Sequence, residues 1–385
     1  MKVSEIVSAL EAIAPSHLAA EWDNVGLLVG DGRAEAKKAL LCIDLTDRVL
    51  AEAVRAGAQM VIAYHPVILK PISRVTAQTW PVGHAAARAG LAVYSPHTAL
   101  DSAPGGTNDV LADVLGLQNR RPLEPAARRG QCKIVVFVPP RDLSRVADAA
   151  FSAGAGRIGN YYDCAFFCHG IGAFCAGEHA RPTIGHVGRH EATEELRLEI
   201  IAPRAGAAEV CTAIRSAHSY EEPAVDVYPL EDYPDGCGMG RFGWLPRPTT
   251  VATLIARIKK ATGLKKVLVS GGLGATPADS LPVRDAAAAS RKRRGGLVTA
   301  AACCAGSCGS LYQAALEAGA TFYLTGEMRH HDALSAAAGG MTVVCLGHSN
   351  SERLVLPVLA RRLREACPKL RTVVSKRDTD PFEVA

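Results

Sequence analysis

The clearest fold signal is the segment KALLCIDLTDRVLAEAVRAGAQMVIAYHP (residues 38–66). Its first part, ALLCIDL, is an apolar run of strand length, and TDRVLAEAVRAGA has helical spacing with a glycine near its end. MVIAYHP is a second apolar run, which ends at His65 and Pro66. A strand, a helix and a strand in this order predict a βαβ unit. His65 would then lie at the sheet edge where α/β proteins bind ligands.

The following segments repeat this pattern and add a second candidate residue. WPVGHAAARAG (80–90) has helical spacing, and LAVYSPHTALD (91–101) predicts a strand that runs into a polar loop. Asp101 therefore follows its strand as His65 follows the previous one. Positions at strand ends carry function more often than packing, so both residues are candidates for a site.

Two boundaries divide the chain. QNRRPLEPAARRG (118–130) is polar and basic, and YPDGCGMGRFG (233–243) is rich in glycine. The strand and helix patterns between them predict a small, separate α+β domain. We therefore expect an α/β fold in which residues 1–125 and 241–385 are the two halves of a two-lobed core, interrupted by an inserted domain at 126–240.

Composition favours a soluble, cytoplasmic protein. The 385 residues are 48% hydrophobic and 21% charged, with a formal net charge of +5. That charge does not match the dense basic surface of a nucleic-acid-binding protein, and no apolar window is long enough to span a membrane. The segment MKVSEIVSALEAIAP has the spacing of an amphipathic core helix rather than of a signal peptide. Twelve cysteines in so long a chain without a leader favour reduced thiols over a disulfide framework.

Three features are weaker candidates for function. GGLGATPADSLPVRDAAAASRKRRGG (271–296) carries the basic run Arg291–Arg294, and a solvated insertion is favoured over a clamp for an anionic ligand. No Lys-Ser or Lys-Thr pair follows its glycines, which argues against a P-loop. Cysteines cluster twice without the paired spacing of a structural zinc site, so buried thiols are favoured. These are Cys164, Cys168 and Cys175, and Cys303, Cys304 and Cys308.

The strongest chemical signal is GHSNSE (347–352), which follows the apolar run MTVVCL and opens the helix ERLVLPVLARRLREA. His348 and Glu352 are four residues apart at this turn, so the imidazole and the carboxylate can converge on one point. The alternative is a histidine and a glutamate that only stabilise the start of the helix. Together with His65 and Asp101 they suit Zn, Fe or Mn, as one ion or as two at roughly 3.5–4 Å.

Ordered segments along nearly the whole chain resemble those of the NGG-one interacting factor three-like family, whose bacterial members are commonly labelled GTP cyclohydrolase type 2 homologues. They are EWDNVGL (21–27), AYHPVILKPI (63–72), SPHTALD (95–101), GAGRIGNYYDCAF (154–166), AHSYEEPAVDVYPL (217–230), YLTGEMRHHDAL (323–334) and GHSNSER (347–353). The resemblance implies an α/β fold with a dinuclear metal centre and an inserted PII/CutA-like domain. It also implies a homohexameric ring, a trimer of dimers, whose openings the inserted domain covers.

The family's metal ligands carry over onto His65, Asp101, His348 and Glu352. The implied cofactor is a divalent cation, with one or two ions per chain. The implied activity is metal-dependent hydrolysis, and with GTP the imidazole ring of guanine would open with loss of formate.

This chain departs from many relatives at Tyr64, because they have His-His-Pro where it has Tyr-His-Pro. One metal thereby loses an imidazole ligand, although a subset of relatives shares the change. His97, four residues before Asp101, is a candidate replacement ligand. A Tyr64 phenolate is less favoured, because tyrosine has a pKa of about 10. A single tightly held metal is the third alternative, and we expect one strong site and one weak site.

Two classes of function remain open. In a metal-dependent hydrolase, Glu327 or His331 in TGEMRHHD would shuttle protons, although this turn is equally suited to a structural cap. In a non-enzymatic ring, the protein would store or deliver metal, or sense a small molecule or nucleotide through the inserted domain. Nucleic-acid or nucleotide phosphate chemistry at Arg291–Arg294 is a weaker third hypothesis.

Overall fold

The computed structural model of the chain describes residues 1–126, 131–159, 161–230, 236–271 and 297–383. The chain divides into two compact units. The core unit comprises Met1–Ala126 and Pro234–Ala385, and the insert unit comprises Ala127–Tyr233. All the candidate site residues predicted from the sequence belong to the core unit.

The described strands of the core unit form two larger sheets and one short ladder. In chain order they are β1 (Gly26–Val29), β2 (Lys38–Cys42), β3 (Met60–Ala63), β4 (Ala92–Ser95), β5 (Gln118–Arg121), β6 (Glu124–Pro125), β11 (Gly238–Met239), β12 (Arg241–Thr250), β13 (Leu268–Ser270), β14 (Leu297–Cys304), β15 (Phe322–Thr325), β16 (Thr342–Cys345) and β17 (Arg371–Val374). Sheet I has the order β1-β4-β3-β2-β17, and sheet II has the order β13-β16-β15-β14-β12-β5. The pairing of β11 with β6 joins residues 238 and 239 to the core unit, although the predicted insert extends to residue 240.

The helices of the core unit connect these strands. In chain order they are α1 (Val3–Ile13), α2 (Asp47–Arg55), α3 (Pro81–Arg88), α4 (His97–Ser102), α5 (Thr107–Leu115), α8 (Val251–Thr262), α9 (Tyr312–Glu317), α10 (His330–Ala338), α11 (His348–Glu352) and α12 (Val355–Ala366). α1 buries Val3, Ile6, Leu10 and Ile13, the apolar positions whose spacing predicts it.

Sheet I contains the predicted βαβ unit. β2 and β3 are parallel neighbours, α2 connects them, and β4 continues the parallel order. In sheet II, β14, β15 and β16 are likewise parallel. Each half of the chain also adds one edge strand to the sheet of the other half, because β17 pairs with β2 and β5 pairs with β12. These exchanged strands tie the two lobes into one unit, and the predicted mixed α/β character is confirmed.

The predicted polar loop after β4 is instead the helix α4. Asp101 therefore lies six residues beyond the end of β4, and its side chain is buried. Pro96 directly precedes the first helical residue, where the missing N–H of proline removes no helical hydrogen bond.

The helix predicted to follow GHSNS also differs, because it begins at His348 rather than at Glu352. It ends at Glu352, and α12 begins three residues later. Pro357 in the first turn of α12 cannot donate a hydrogen bond to the carbonyl of Arg353, and this favours the break.

The insert unit has the order β-α-β-β-α-β. Its elements are β7 (Gln131–Val138), α6 (Leu143–Ser152), β8 (Ala165–Cys175), β9 (His190–Pro203), α7 (Ala207–Ala217) and β10 (Val225–Pro229). The strands form an antiparallel sheet in the order β10-β7-β9-β8, which is a ferredoxin-like arrangement.

The cysteines follow the prediction only in part. Cys303 and Cys304 on β14 are buried, as expected, whereas Cys168 and Cys175 are exposed on β8, the edge strand of the insert sheet. No described helix combines the length and the apolar character that crossing a membrane requires. The predicted basic loop lies outside the described residues from position 272 to position 296.

Candidate metal centre

His65 is positioned by the parallel strands of sheet I. It follows β3 by two residues, and its backbone N–H donates to the carbonyl of Ile43, which continues the pairing with β2. Asp44 follows the neighbouring strand β2 by the same two residues. The Asp44 Oδ1 atom lies 2.9 Å from His65 Nδ1. This contact orients the imidazole and leaves Nε2 as its coordinating atom.

His348 is positioned in the same way by sheet II. It begins α11 after the strand β16, and Gly347 makes the turn with a φ of 88°. Glu327 follows the parallel neighbour β15 by two residues, and its Oε2 atom lies 3.3 Å from His348 Nδ1. Each lobe therefore offers one histidine after a parallel strand, together with a carboxylate that follows the adjacent strand.

Glu352 brings the two histidines together. Its Oε2 atom lies 3.2 Å from His65 Nε2, and its Oε1 atom lies 3.3 Å from His348 Nε2. The two imidazole centroids are 5.3 Å apart. The ligand atoms of these three residues all lie within 4.8 Å of one another. Two nitrogen donors and one carboxylate are a donor set that Zn, Fe and Mn accept.

Unsatisfied polar atoms show that this cluster suits a cation. His65 Nε2 and Glu352 Oε2 are buried and face each other, but they are not aligned as a hydrogen bond and have no other partner in the described chain. A Cβ at Gly306 would lie only 2.7 Å from Glu352 Oε1, so the glycine keeps space open beside the carboxylate.

The carboxylates make both histidines unusually basic. Burial lowers the pKa of His65, but Asp44 and Glu352 outweigh it and raise the pKa to about 10. For His348, Glu352 is the main cause and Glu327 adds to it, and the pKa rises to about 9. Burial opposes ionisation of Glu352, but the two histidines lower its pKa. Without metal, two imidazolium groups therefore compensate the carboxylates of the cluster.

Asp101 lies beside this cluster but forms its hydrogen bond with Tyr64. The Tyr64 hydroxyl donates a hydrogen bond to Asp101 Oδ1 and also lies 3.0 Å from Thr107 Oγ1. Burial, followed by the charge of Glu352, raises the pKa of Asp101 to about 6. Burial and the two nearby carboxylates raise the pKa of Tyr64 well above its usual value. Without metal, Tyr64 is therefore a phenol that donates a hydrogen bond to Asp101.

His97 is held next to the cluster in an unusual backbone conformation. Its φ is +25°, which is a strained value for a histidine, and its ring centroid lies 5.3 Å from that of His65. Its Nδ1 atom lies 2.8 Å from Asp23 Oδ1. Asp23 also accepts hydrogen bonds from the backbone N–H and the hydroxyl of Thr98. His97 and Asp101 are outside the group of three ligands, and their roles as ligands stay predictions.

The two predicted proton shuttles are placed differently. Glu327 contacts His348, with 47% of its side chain exposed. His331 is exposed on α10, and its described ring contact, at 5.4 Å, is with His330 rather than with the cluster. Sequence reasoning missed the orienting carboxylates Asp44 and Asp23. The matching position of Asp44 after β2 and His65 after β3 is the signal that would have indicated the first of them.

Two cavities border the cluster. One, of about 560 Å³, is lined by Glu327 and Gly347 on the His348 side. The other, of about 640 Å³, is lined by His65 and Asp44. Both volumes are in the range of small-molecule sites. The second cavity thus contacts the cluster through His65, and the first contains Glu327, the partner of His348.

Asp44→Asn should lower the affinity for Zn²⁺ or Mn²⁺ by about 10–100-fold, because the carboxylate that orients His65 is lost. Metal titration by calorimetry measures this change. Asp47→Asn is the matched control, since Asp47 is exposed on α2 and makes no contact with a histidine in the described chain. Equal affinities of the two variants would show that Asp44 does not support the site.

Metal binding at pH 7 should release about two protons per ion, because His65 and His348 have pKa values of about 10 and about 9 and must be neutral to coordinate. The affinity should therefore rise with pH up to about 9 and level off above about 10. Calorimetry in buffers of different ionisation enthalpy counts the protons. His331→Gln should leave the count unchanged, and release of less than about one proton would contradict the assignment.

Comparison with known proteins identifies the family. A family model described as Duf34/NIF3 (NGG1p interacting factor 3) matches residues 1–381. The chain is 33% identical over 384 residues to a GTP cyclohydrolase 1 type 2 homolog of Halalkalibacterium halodurans, covering 98% of this chain and 97% of the relative. It is 30% identical over 395 residues to NIF3-like protein 1 of Rattus norvegicus, covering 100% and 93%.

A solved structure extends this likeness to the fold. The chain is similar to a Bacillus cereus protein related to NIF3, with a TM-score of 0.68, 32% sequence identity, and coverage of 100% of this chain and 99% of that chain. The resemblance of the ordered motifs is thereby confirmed, and the chain belongs to the DUF34/NIF3 family.

Proposed function

We propose that this chain is a divalent-metal-binding protein that acts as a metal-dependent hydrolase. The observation that supports this most directly is the pair of buried, unsatisfied atoms His65 Nε2 and Glu352 Oε2, with His348 Nε2 beside them. Evolutionary relatives that carry the name GTP cyclohydrolase 1 type 2 homolog make GTP the first substrate to test.

In the proposed chemistry, some residues bind the metal and others transfer protons. A divalent cation bound by His65, His348 and Glu352 would act as a Lewis acid and lower the pKa of bound water to near neutrality. Asp44 and Glu327 keep the two imidazoles oriented. Because Glu327 also lines a cavity and is half exposed, we propose that it exchanges protons between the site and solvent.

We further propose a second, weaker metal position beside Asp101 and His97. The proximity of both residues to the cluster supports this second position. Asp101 interacts electrostatically with Glu352, and the His97 ring contacts that of His65. Tyr64 weakens this position in two ways. It stands where the family resemblance implies an imidazole, and its hydroxyl donates a hydrogen bond to an oxygen of Asp101. A dinuclear centre would therefore be unequal in this chain.

Metal-supplemented expression should yield roughly one to two Zn, Fe or Mn ions per chain, and Tyr64→His should raise the content towards two. The substitution restores an imidazole and releases Asp101 from the phenol. Elemental analysis of the purified proteins measures both values. Tyr64→Phe is the matched control, because it releases Asp101 without adding a ligand. Absence of metal from the wild-type protein would refute the proposal.

Metal-loaded protein should release formate from GTP, and His348→Ala should reduce the rate by about a hundredfold or more, because a ligand is lost. His17→Ala is the control, since His17 is exposed and contacts no residue of the cluster. Formate is quantified with a coupled dehydrogenase assay. A wild-type rate equal to that of His348→Ala would exclude this reaction and favour the second candidate.

The second candidate is a non-enzymatic metal-binding or regulatory ring. The insert unit favours this second candidate, because it contains a cavity of about 300 Å³ that is lined by residues including Phe137, Phe174 and Tyr220. Its β-α-β-β-α-β order supports a PII/CutA-like classification. We propose a cytoplasmic homohexamer, a trimer of dimers, in which this unit senses a small molecule. Light scattering of the purified protein tests the assembly.

A further inference from the structure

Trp22 is an exposed tryptophan beside the candidate metal centre, and metal ligation gives it no role. It belongs to the motif EWDNVGL, and 64% of its surface is exposed. Its ring centroid lies 5.8 Å from that of His97, and the His97 centroid lies 5.3 Å from that of His65. A single exposed apolar side chain needs no explanation by itself, so the surroundings of Trp22 decide whether it has a function.

The segment that carries Trp22 is fixed by hydrogen bonds next to the metal centre. The Asp23 carboxylate lies 2.8 Å from His97 Nδ1. The side-chain amide of Asn24 donates a hydrogen bond of 2.6 Å to the carbonyl of Ile68, in the segment that follows β3. Trp22 is therefore exposed on a backbone that is already held in place. A side chain that is positioned in advance loses less conformational entropy when a ligand binds to it.

The contact with His97 leaves most of the indole uncovered. The two rings meet at an interplanar angle of 76°, which is an edge-to-face arrangement. Trp22 makes no other ring contact within the part of the chain that the structure describes. A planar ring stacked on the indole would therefore lie next to His97, whose own ring contacts that of His65.

The other two tryptophans of the core unit are explained by the fold. The Trp80 Nε1 atom donates a hydrogen bond of 3.0 Å to the carbonyl of Val67. The Trp244 ring packs edge to face on Phe242 within sheet II, with the centroids 4.8 Å apart. Trp22 differs from both, because its one ring contact is with a histidine of the candidate site.

We infer that Trp22 is a stacking platform for the substrate of the metal centre, and that this substrate carries a planar aromatic ring. Nucleobases and other heteroaromatic rings stack on aromatic side chains through their faces. The ring lies against Trp22, and the substrate extends past His97 towards the metal at His65. This inference rests on the proposed metal-dependent function, and it adds the substrate class and a residue that selects it.

Calorimetry with metal-loaded protein tests this inference. The probes are guanosine and uridine, which carry a purine and a pyrimidine ring, and ribose, which carries neither. At least one nucleoside should bind roughly tenfold or more tightly than ribose. Trp22→Ala should weaken the binding of that nucleoside by roughly tenfold or more, whereas Trp22→Phe should retain most of the affinity, because phenylalanine also offers a ring face.

Trp244→Ala is the matched control, since Trp244 is also exposed but packs against Phe242. Equal binding of the nucleosides and ribose, or unchanged binding by Trp22→Ala, would overturn this inference. Light scattering distinguishes a stacking platform from an interface with a second copy of the chain. A different mass of Trp22→Ala and the wild-type protein would assign Trp22 to such an interface and would also overturn the inference.

Metal content is measured on every sample by elemental analysis. Full metal content without tighter binding of a nucleoside would overturn this inference and leave the proposed metal function intact. Absence of metal from the wild-type protein would instead defeat the proposed function. Because binding is measured rather than formate release, the result does not depend on GTP hydrolysis.

Discussion

The candidate metal centre depends on one buried carboxylate that contacts two imidazoles. Glu352 is 2% exposed, and a carboxylate is removed from water at this depth only when it is paired. One partner, His65, comes from sheet I, and the other, His348, comes from the end of sheet II. The charge of Glu352 is compensated only because the carboxyl ends of the parallel strands in both lobes lie close together at this point.

A repeated orienting contact makes this meeting point suitable for a metal. Asp44 binds His65, Glu327 binds His348 and Asp23 binds His97, in each case through Nδ1. Carboxylates in this position fix the ring and strengthen the other nitrogen as a ligand. The two lobes use the same arrangement. In each, one strand is followed by a histidine and the adjacent parallel strand is followed by the carboxylate that orients it.

Tyr64 makes the Asp101 side of the site different from the side formed by His65, His348 and Glu352. Its buried hydroxyl donates a hydrogen bond to Asp101, so this carboxylate is already bound within the protein. The three candidate ligands His65, His348 and Glu352 lie close together without Asp101. This explains why one metal position is better supported than two.

Local sequence patterns were sufficient to predict many of the secondary-structure elements of this protein. Apolar runs and helical spacing predicted the βαβ unit, the core helix α1 and the small α+β insert, because these elements depend on contacts between near neighbours in sequence. The i, i+4 spacing also predicted that His348 and Glu352 share one face. The position of His65 after a strand made it a candidate for the same site, and the family resemblance supported that grouping.

Tertiary structure decided the rest, because those contacts join residues that are far apart in sequence. Asp378 accepts from the backbone of Ile43 across a separation of 335 residues, and no local pattern indicates such a partner. The same holds for Asp23, which orients His97 from 74 residues away. His331 has the right residue type in a family motif, yet packing of α10 leaves it on the surface. Sequence by itself determined which residue types were available to the site, and the packing of two sheets determined which of them meet, since only buried surroundings create unpaired donors and acceptors that a metal or a ligand can satisfy.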